Sequence, residues 1–109
     1  MVIDIKDRVK CAALQGKIVT AYDAALLSNP NDKVGISGFT PSGYAKAVPL
    51  ALAERMEKEP FKIDLWTGAS VGDEADGALT RANGINRRFP YQTNGDTRKA
   101  LNSGAIKYI

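Results

Sequence analysis

Three times along this chain a short apolar run ends in a turn rich in glycine and hydroxyl groups, and an amphipathic segment follows. The runs are residues 33–37, 61–66 and 87–91. They lead into Ser37-Gly-Phe-Thr-Pro-Ser-Gly43, Thr67-Gly-Ala-Ser-Val-Gly72 and Gln92-Thr-Asn-Gly95. Strand, turn and helix recurring at intervals of roughly 26–28 residues predict βαβ units on a parallel sheet. The units share layout rather than sequence, which excludes a solenoid. Right-handed crossovers would put all three turns on one edge of the sheet. That edge, outside the carboxyl ends of the strands, is where open α/β sheets hold ligands.

The remaining segments fit between these units. Residues 4–14 read as a short helix with Ile5, Val9, Ala12 and Ala13 on one side and Cys11 as a small buried residue. Thr20-Ala-Tyr-Asp23 has the layout of a capping box opening a helix to about Ser28, and Asn29–Asp32 is a turn. From Tyr44 to Lys58, Val48, Leu52 and Met56 form one helical row, with Pro49 in the first turn where proline is tolerated. Glu54, Arg55, Glu57 and Lys58 fall on the solvated face. Asp64 alternates outward on its strand. Asp73, Glu74 and Asp76 crowd the start of a helix through Ala82, where acids suit the positive end of the helix dipole. Asn83-Gly84 reads as its C-cap. Asp96–Asn102 forms a last short helix stopped by Ser103-Gly104, and residues 105–109 begin something extended.

Composition narrows the chemistry. A chain of 109 residues suits one modest domain. It has no histidine and a single cysteine, which removes every Ser-His or Cys-His nucleophile and the usual ligands of a metal site. The lone Cys11 excludes an internal disulfide and fits a reducing, cytoplasmic setting. A net charge of +3, scattered along the chain, makes no basic stripe for nucleic acid. No apolar run approaches the ~18–20 residues of a membrane span. The charges of the N-terminus interleave with apolar residues, against a secretory signal.

The turns are left to carry function. Neither phosphate-binding motif, GxxxxGK[ST] or GxGxxG, occurs in the first one. A loop that offers backbone N–H groups and small hydroxyls could still hold a carboxylate, thioester oxygen or phosphate. The plainer alternative is that Gly38 and Gly43 permit tight turns while Phe39 packs the core. Ser70 and Thr93 each stand just before a helix, where N-capping is the simplest role. At matching places in successive βα units they could instead hold one carboxylate between them, each by a charge-assisted hydrogen bond. No pair of acids is arranged for proton transfer.

Asp32-Lys-Val-Gly-Ile-Ser-Gly-Phe-Thr-Pro-Ser-Gly-Tyr-Ala-Lys-Ala-Val-Pro, Ile63-Asp-Leu-Trp-Thr-Gly-Ala-Ser-Val-Gly and Arg88-Phe-Pro-Tyr-Gln-Thr together resemble the start of the acetyl-CoA hydrolase/transferase family. That family includes succinyl-CoA:acetate and propionyl-CoA:succinate CoA-transferases. The likeness covers essentially the whole chain, from Ile5-Lys-Asp-Arg-Val onward. The first turn also resembles the G-G-F-x-x-x-G-x-P signature of CoA-transferases, with Ser37 at the first glycine's place and Ala45 at the proline's.

The resemblance implies a three-layer α/β fold with an open, mainly parallel sheet and flanking helices. Residues 1–109 would be a truncated part of the N-terminal domain. It implies CoA transfer between an acyl-CoA and a small carboxylate such as acetate, succinate or propionate, through a glutamyl-CoA intermediate. Acyl-CoA hydrolysis and a non-catalytic small-anion-binding domain are the alternatives. The glutamate would lie beyond Ile109, so none of Glu54, Glu57, Glu59 and Glu74 takes its place and this stretch alone would be inactive. Ser70 and Thr93 would hold the carboxylate, and Gly38, Phe39, Thr40 and Gly68 would line the cleft. Coenzyme A would be a substrate, with no covalently bound cofactor and no metal. The partners would be acyl-CoA, small carboxylic acids, the remainder of the polypeptide and a second copy in a homodimer, with no nucleic acid or membrane.

Overall fold

A computed structural model of the chain describes residues 4–39, 42–90 and 92–108. In chain order the elements are α1 (Ile5–Arg8), α2 (Ala12–Gln15), α3 (Ala21–Ala25), β1 (Lys33–Ile36), β2 (Gly38–Phe39) and β3 (Gly43–Tyr44). They continue as α4 (Ala47–Lys58), β4 (Ile63–Thr67), a π-helical turn (Asp73–Gly77) running into α5 (Ala78–Arg81), β5 (Ile85–Phe89), α6 (Gly95–Ser103) and β6 (Lys107–Tyr108). β1, β4, β5 and β6 form one sheet in that order, and every pairing in it is parallel. β2 and β3 make a separate antiparallel hairpin. The architecture is the expected α/β one, a parallel sheet with flanking helices.

The strand order advances in a single direction, so right-handed crossovers bring α4, α5 and α6 to the same face. The core agrees: Leu52, Met56 and Leu79 from the helices pack with Ile63, Leu65, Ile85 and Ile106 beneath them. Burying such side chains contributes roughly 1.5–3 kcal/mol each. Local signals set the element ends. Thr20 Oγ1 accepts from the Asp23 amide at 3.1 Å, capping α3. Asn83 adopts φ 55°, and the Asn83 and Gly84 amides bond back to Thr80 and Leu79 carbonyls at 3.0 and 2.9 Å. That is a Schellman cap closing α5 at the predicted place. Gly84 is needed for space, since a Cβ there would lie 2.1 Å from the Met56 sulfur.

Several expectations are corrected. Residues 4–14 form two short helices, α1 and α2, that bury nothing, with Val9 extended between them. Cys11 is exposed, since among the described residues nothing buries the apolar side of this segment. α4 starts at Ala47, since Tyr44 is extended and pairs with Gly38 in the hairpin. Arg55 leaves the solvated face: its Nη1 donates to the Ala25 carbonyl at 3.0 Å and the Ser28 carbonyl at 2.5 Å, closing the end of α3. The third strand spans Ile85–Phe89, two residues early, because a register shift between Ile63 and Asp64 leaves Asn86 as an extra residue and disturbs the alternation.

Asp64 does alternate away from the core, but it is only 5% exposed. Arg87, its neighbour on β5, covers it and donates to its carboxylate from Nε at 3.0 Å and Nη2 at 2.6 Å. Trp66 and Phe89 are further along the same far face, with ring centroids 5.3 Å apart, and the Tyr108 ring lies 6.1 Å from Phe89. Among the described residues, no helix is long and apolar enough to cross a membrane.

Candidate functional site

The parallel pairing of β1, β4 and β5 delivers their following turns to one edge of the sheet. The first two turns touch: a Cβ on Gly68 would lie 3.1 Å from the Gly38 carbonyl oxygen, and a Cβ on Gly38 would lie 2.7 Å from the Tyr44 Cβ across the hairpin, so each position favours the smallest residue. The hairpin after β1 is fastened over the second turn by Tyr44, whose hydroxyl donates to the Glu74 carboxylate. That bond and the nearby charge of Glu74 raise the Tyr44 phenol above its ordinary pKa. Lys46 stacks on the outer side of the ring, its ammonium 4.0 Å from the centroid. Gly72 leaves the room this ring occupies, since a Cβ there would fall 2.2 Å from the hydroxyl oxygen.

Ser70 and Thr93 come together. Thr93 Oγ1 donates to Ser70 Oγ at 3.1 Å, joining the turns after β4 and β5. Neither residue caps a helix. The π-helical turn follows Gly72, and α6 is capped by Asn94, whose Oδ1 accepts from the Thr97 amide at 3.1 Å. Ser70 is fully buried while Thr93 is exposed, so of the bonded pair only Thr93 meets solvent. Phe39 does not pack the core; it is 66% exposed beside Gly38. Thr40 lies outside the described residues. An apolar hollow of about 210 Å³ lined by Val34, Ile36, Val48 and Leu52 includes neither hydroxyl.

Under the hydroxyl pair sits an ion pair that the sequence reading did not single out. Arg88 donates to Asp76 from Nε at 2.7 Å and Nη2 at 2.8 Å, and both side chains are fully buried. Adjacent strand residues face opposite ways, so one of Arg87 and Arg88 turns toward the helices, and the extra residue at Asn86 makes it Arg88. A second, exposed network borders the site. Arg81 pairs with Asp73 at 2.8 Å and Asp96 at 2.9 Å, and Asn94 donates to Asp73 at 3.1 Å. The Arg81 and Asn94 bonds hold the Asp73 carboxyl below its usual range. Among the described residues no group of acids or thiols is placed to hold a metal ion.

At this edge Thr93 and the glycine-rich turns meet solvent with Ser70 behind them, and among the described residues no nucleophile is paired with a base. Comparison with known sequences supplies the missing context. The acetyl-CoA hydrolase/transferase N-terminal domain matches residues 3–109. The chain belongs to this family. It is 50% identical over 103 residues to the succinyl-CoA:acetate CoA-transferase of Clostridium kluyveri, covering 93% of this chain and 19% of that protein. It is 43% identical over 96 residues to the propanoyl-CoA:succinate CoA transferase of Escherichia coli, covering 84% and 20% respectively. An acetyl-CoA hydrolase of Neurospora crassa is 33% identical over 114 residues, covering 93% of the chain and 22% of the relative. The chain thus spans about a fifth of the length of these acetyl-CoA hydrolase/transferase relatives.

Proposed function

We propose that this chain is the part of a CoA-transferase that binds the small carboxylate and forms one wall of the acyl-CoA cleft. Ser70 and Thr93 would each donate a hydrogen bond to one carboxylate, exchanging their mutual contact for two charge-assisted ones. Gly38, Phe39 and Gly68 would line the cleft beside them, with Thr40 on the same loop. The observation that carries this reading is the 3.1 Å contact between hydroxyls from two different βα turns, at the sheet edge where such folds hold ligands.

The chemistry would be completed by a glutamate beyond Ile109. Its carboxylate attacks the acyl-CoA carbonyl and expels the CoA thiolate, leaving a mixed anhydride. The thiolate then attacks the glutamyl carbonyl, releasing the first carboxylate and forming a glutamyl-CoA thioester. A second carboxylate, seated between Ser70 and Thr93, reverses the sequence and departs as the new acyl-CoA. The setting is cytoplasmic and the full-length enzyme a homodimer.

Borohydride reduction after addition of acyl-CoA to the full-length polypeptide should tag one glutamate downstream of Ile109. An active preparation without a tagged glutamate would overturn the mechanism. Hydrolase activity is the second reading, favoured by the Neurospora crassa relative. Acyl-CoA consumption that is independent of added acetate or succinate would decide for it.

A further inference from the structure

We propose that Arg88 and Asp76 are the positioning pair that sets the spacing between Ser70 and Thr93; the inference rests on the carboxylate-binding reading above. The pair reaches both turns at once. Asp76 Oδ2 accepts from the amide of Val71, the residue after Ser70, at 3.3 Å. Arg88 Nη1 donates to the Phe89 carbonyl at 2.6 Å, at the point where β5 leaves the sheet toward Thr93. The Thr97 amide donates to Asn94 Oδ1 at 3.1 Å, and the single Thr97 hydroxyl proton is shared between the Asp76 main-chain carbonyl at 3.1 Å and the same Asn94 oxygen at 3.3 Å; Asn94 is the residue after Thr93. The Ser70 side is thus tied to the Asp76 carboxylate through the Val71 amide, and the Thr93 side to Arg88 through the Phe89 carbonyl and to the Asp76 main chain through Thr97 and the Asn94 side chain.

Stability alone does not account for such a pair. Removing two charges from water costs about as much as their attraction returns, and apolar replacements of buried pairs are often neutral. What a bidentate guanidinium adds over an apolar filler is a fixed orientation of its partner. A lysine keeps the charge but loses the two-pronged geometry, so Arg88→Lys isolates that contribution.

The test uses the full-length polypeptide with succinate and acetate as acceptors. Arg88→Lys should raise the carboxylate KM about tenfold while the acyl-CoA KM stays within about twofold. In a Ser70→Ala background the same substitution should add little, because the two act through one contact. Thr97→Val, isosteric and leaving the ion pair in place, should raise the carboxylate KM about threefold. Ile106→Ala, a core residue just before β6, should lower stability and leave that KM unchanged. The inference is overturned if folded Arg88→Lys or Thr97→Val leaves the carboxylate KM unchanged, if Ile106→Ala raises it equally, or if the Arg88 and Ser70 effects simply add. Should Arg88→Lys not fold, Asp76→Asn, which keeps the partner's shape and removes its charge, is read in its place with the same outcomes. A wild-type carboxylate KM that ignores Ser70→Ala would instead overturn the carboxylate-binding reading itself.

Discussion

Thr93 Oγ1 donates a 3.1 Å hydrogen bond to Ser70 Oγ across a separation of 23 residues. Two parallel βα units bring the hydroxyls together, and neither is used to cap the helix that follows it. If both turn toward a bound carboxylate, each supplies one charge-assisted bond of about 1.5 kcal/mol. Ser70→Ala and Thr93→Ala should each raise the carboxylate KM about tenfold in the full-length enzyme, with the acyl-CoA KM little changed. Initial-rate measurements against succinate and acetate check this.

The buried Asp64 carboxylate makes an acid-sensitive element of the sheet's far face. Its hydrogen bonds from Arg87, aided by Asn86, hold its carboxyl below the ordinary range. A depressed carboxyl stabilises the fold above its unfolded pKa of about 4, and that contribution is lost as pH falls through the folded value. Arg87→Met should lower the denaturation midpoint at pH 7, and the difference from wild type should begin to shrink below about pH 4 and close only as pH falls through the lower folded pKa. Urea titrations across the pH range give the comparison.

Gly72 and Tyr44 set the closure of the hairpin over the second turn. A methyl group at position 72 would occupy the space of the Tyr44 hydroxyl and push the ring away from Glu74. Glu74 is the main cause of the raised Tyr44 pKa, so Gly72→Ala should bring one phenol back toward its ordinary value. Ultraviolet titration of tyrosinate, with Tyr44→Phe to identify the transition, reads this directly.

Gly104 ends α6 at φ 85°, a backbone conformation that suits glycine and strains side-chain-bearing residues. Gly104→Ala should cost about 1 kcal/mol of stability without altering substrate KM values, as a thermal melt paired with kinetics would show.

Much of the fold was legible because its causes are local. Glycine and hydroxyl residues mark the turns, apolar spacing marks α4, and Asn83-Gly84 marks the end of α5. Where the cause is not local, residue type and spacing mislead. The apolar side of residues 4–14 looks like a core face, yet neither α1 nor α2 has a buried residue against the described residues. Arg55 looks like a surface charge, and only the approach of α3 turns it into a cap for the Ala25 and Ser28 carbonyls.

Residue type and spacing along the chain are enough for the parallel α/β layout and for the candidacy of Ser70 and Thr93, and the 32–49, 63–72 and 88–93 stretches carry the family resemblance. Tertiary structure alone decided that the two hydroxyls meet, that Asn94 rather than Thr93 caps α6, and that Arg88 and Asp76 lie buried beneath them. The reason is physical. Burial and pairing depend on which segments share a sheet edge, and the bulge at Asn86 that turns Arg88 inward exists only once β5 has registered against β4.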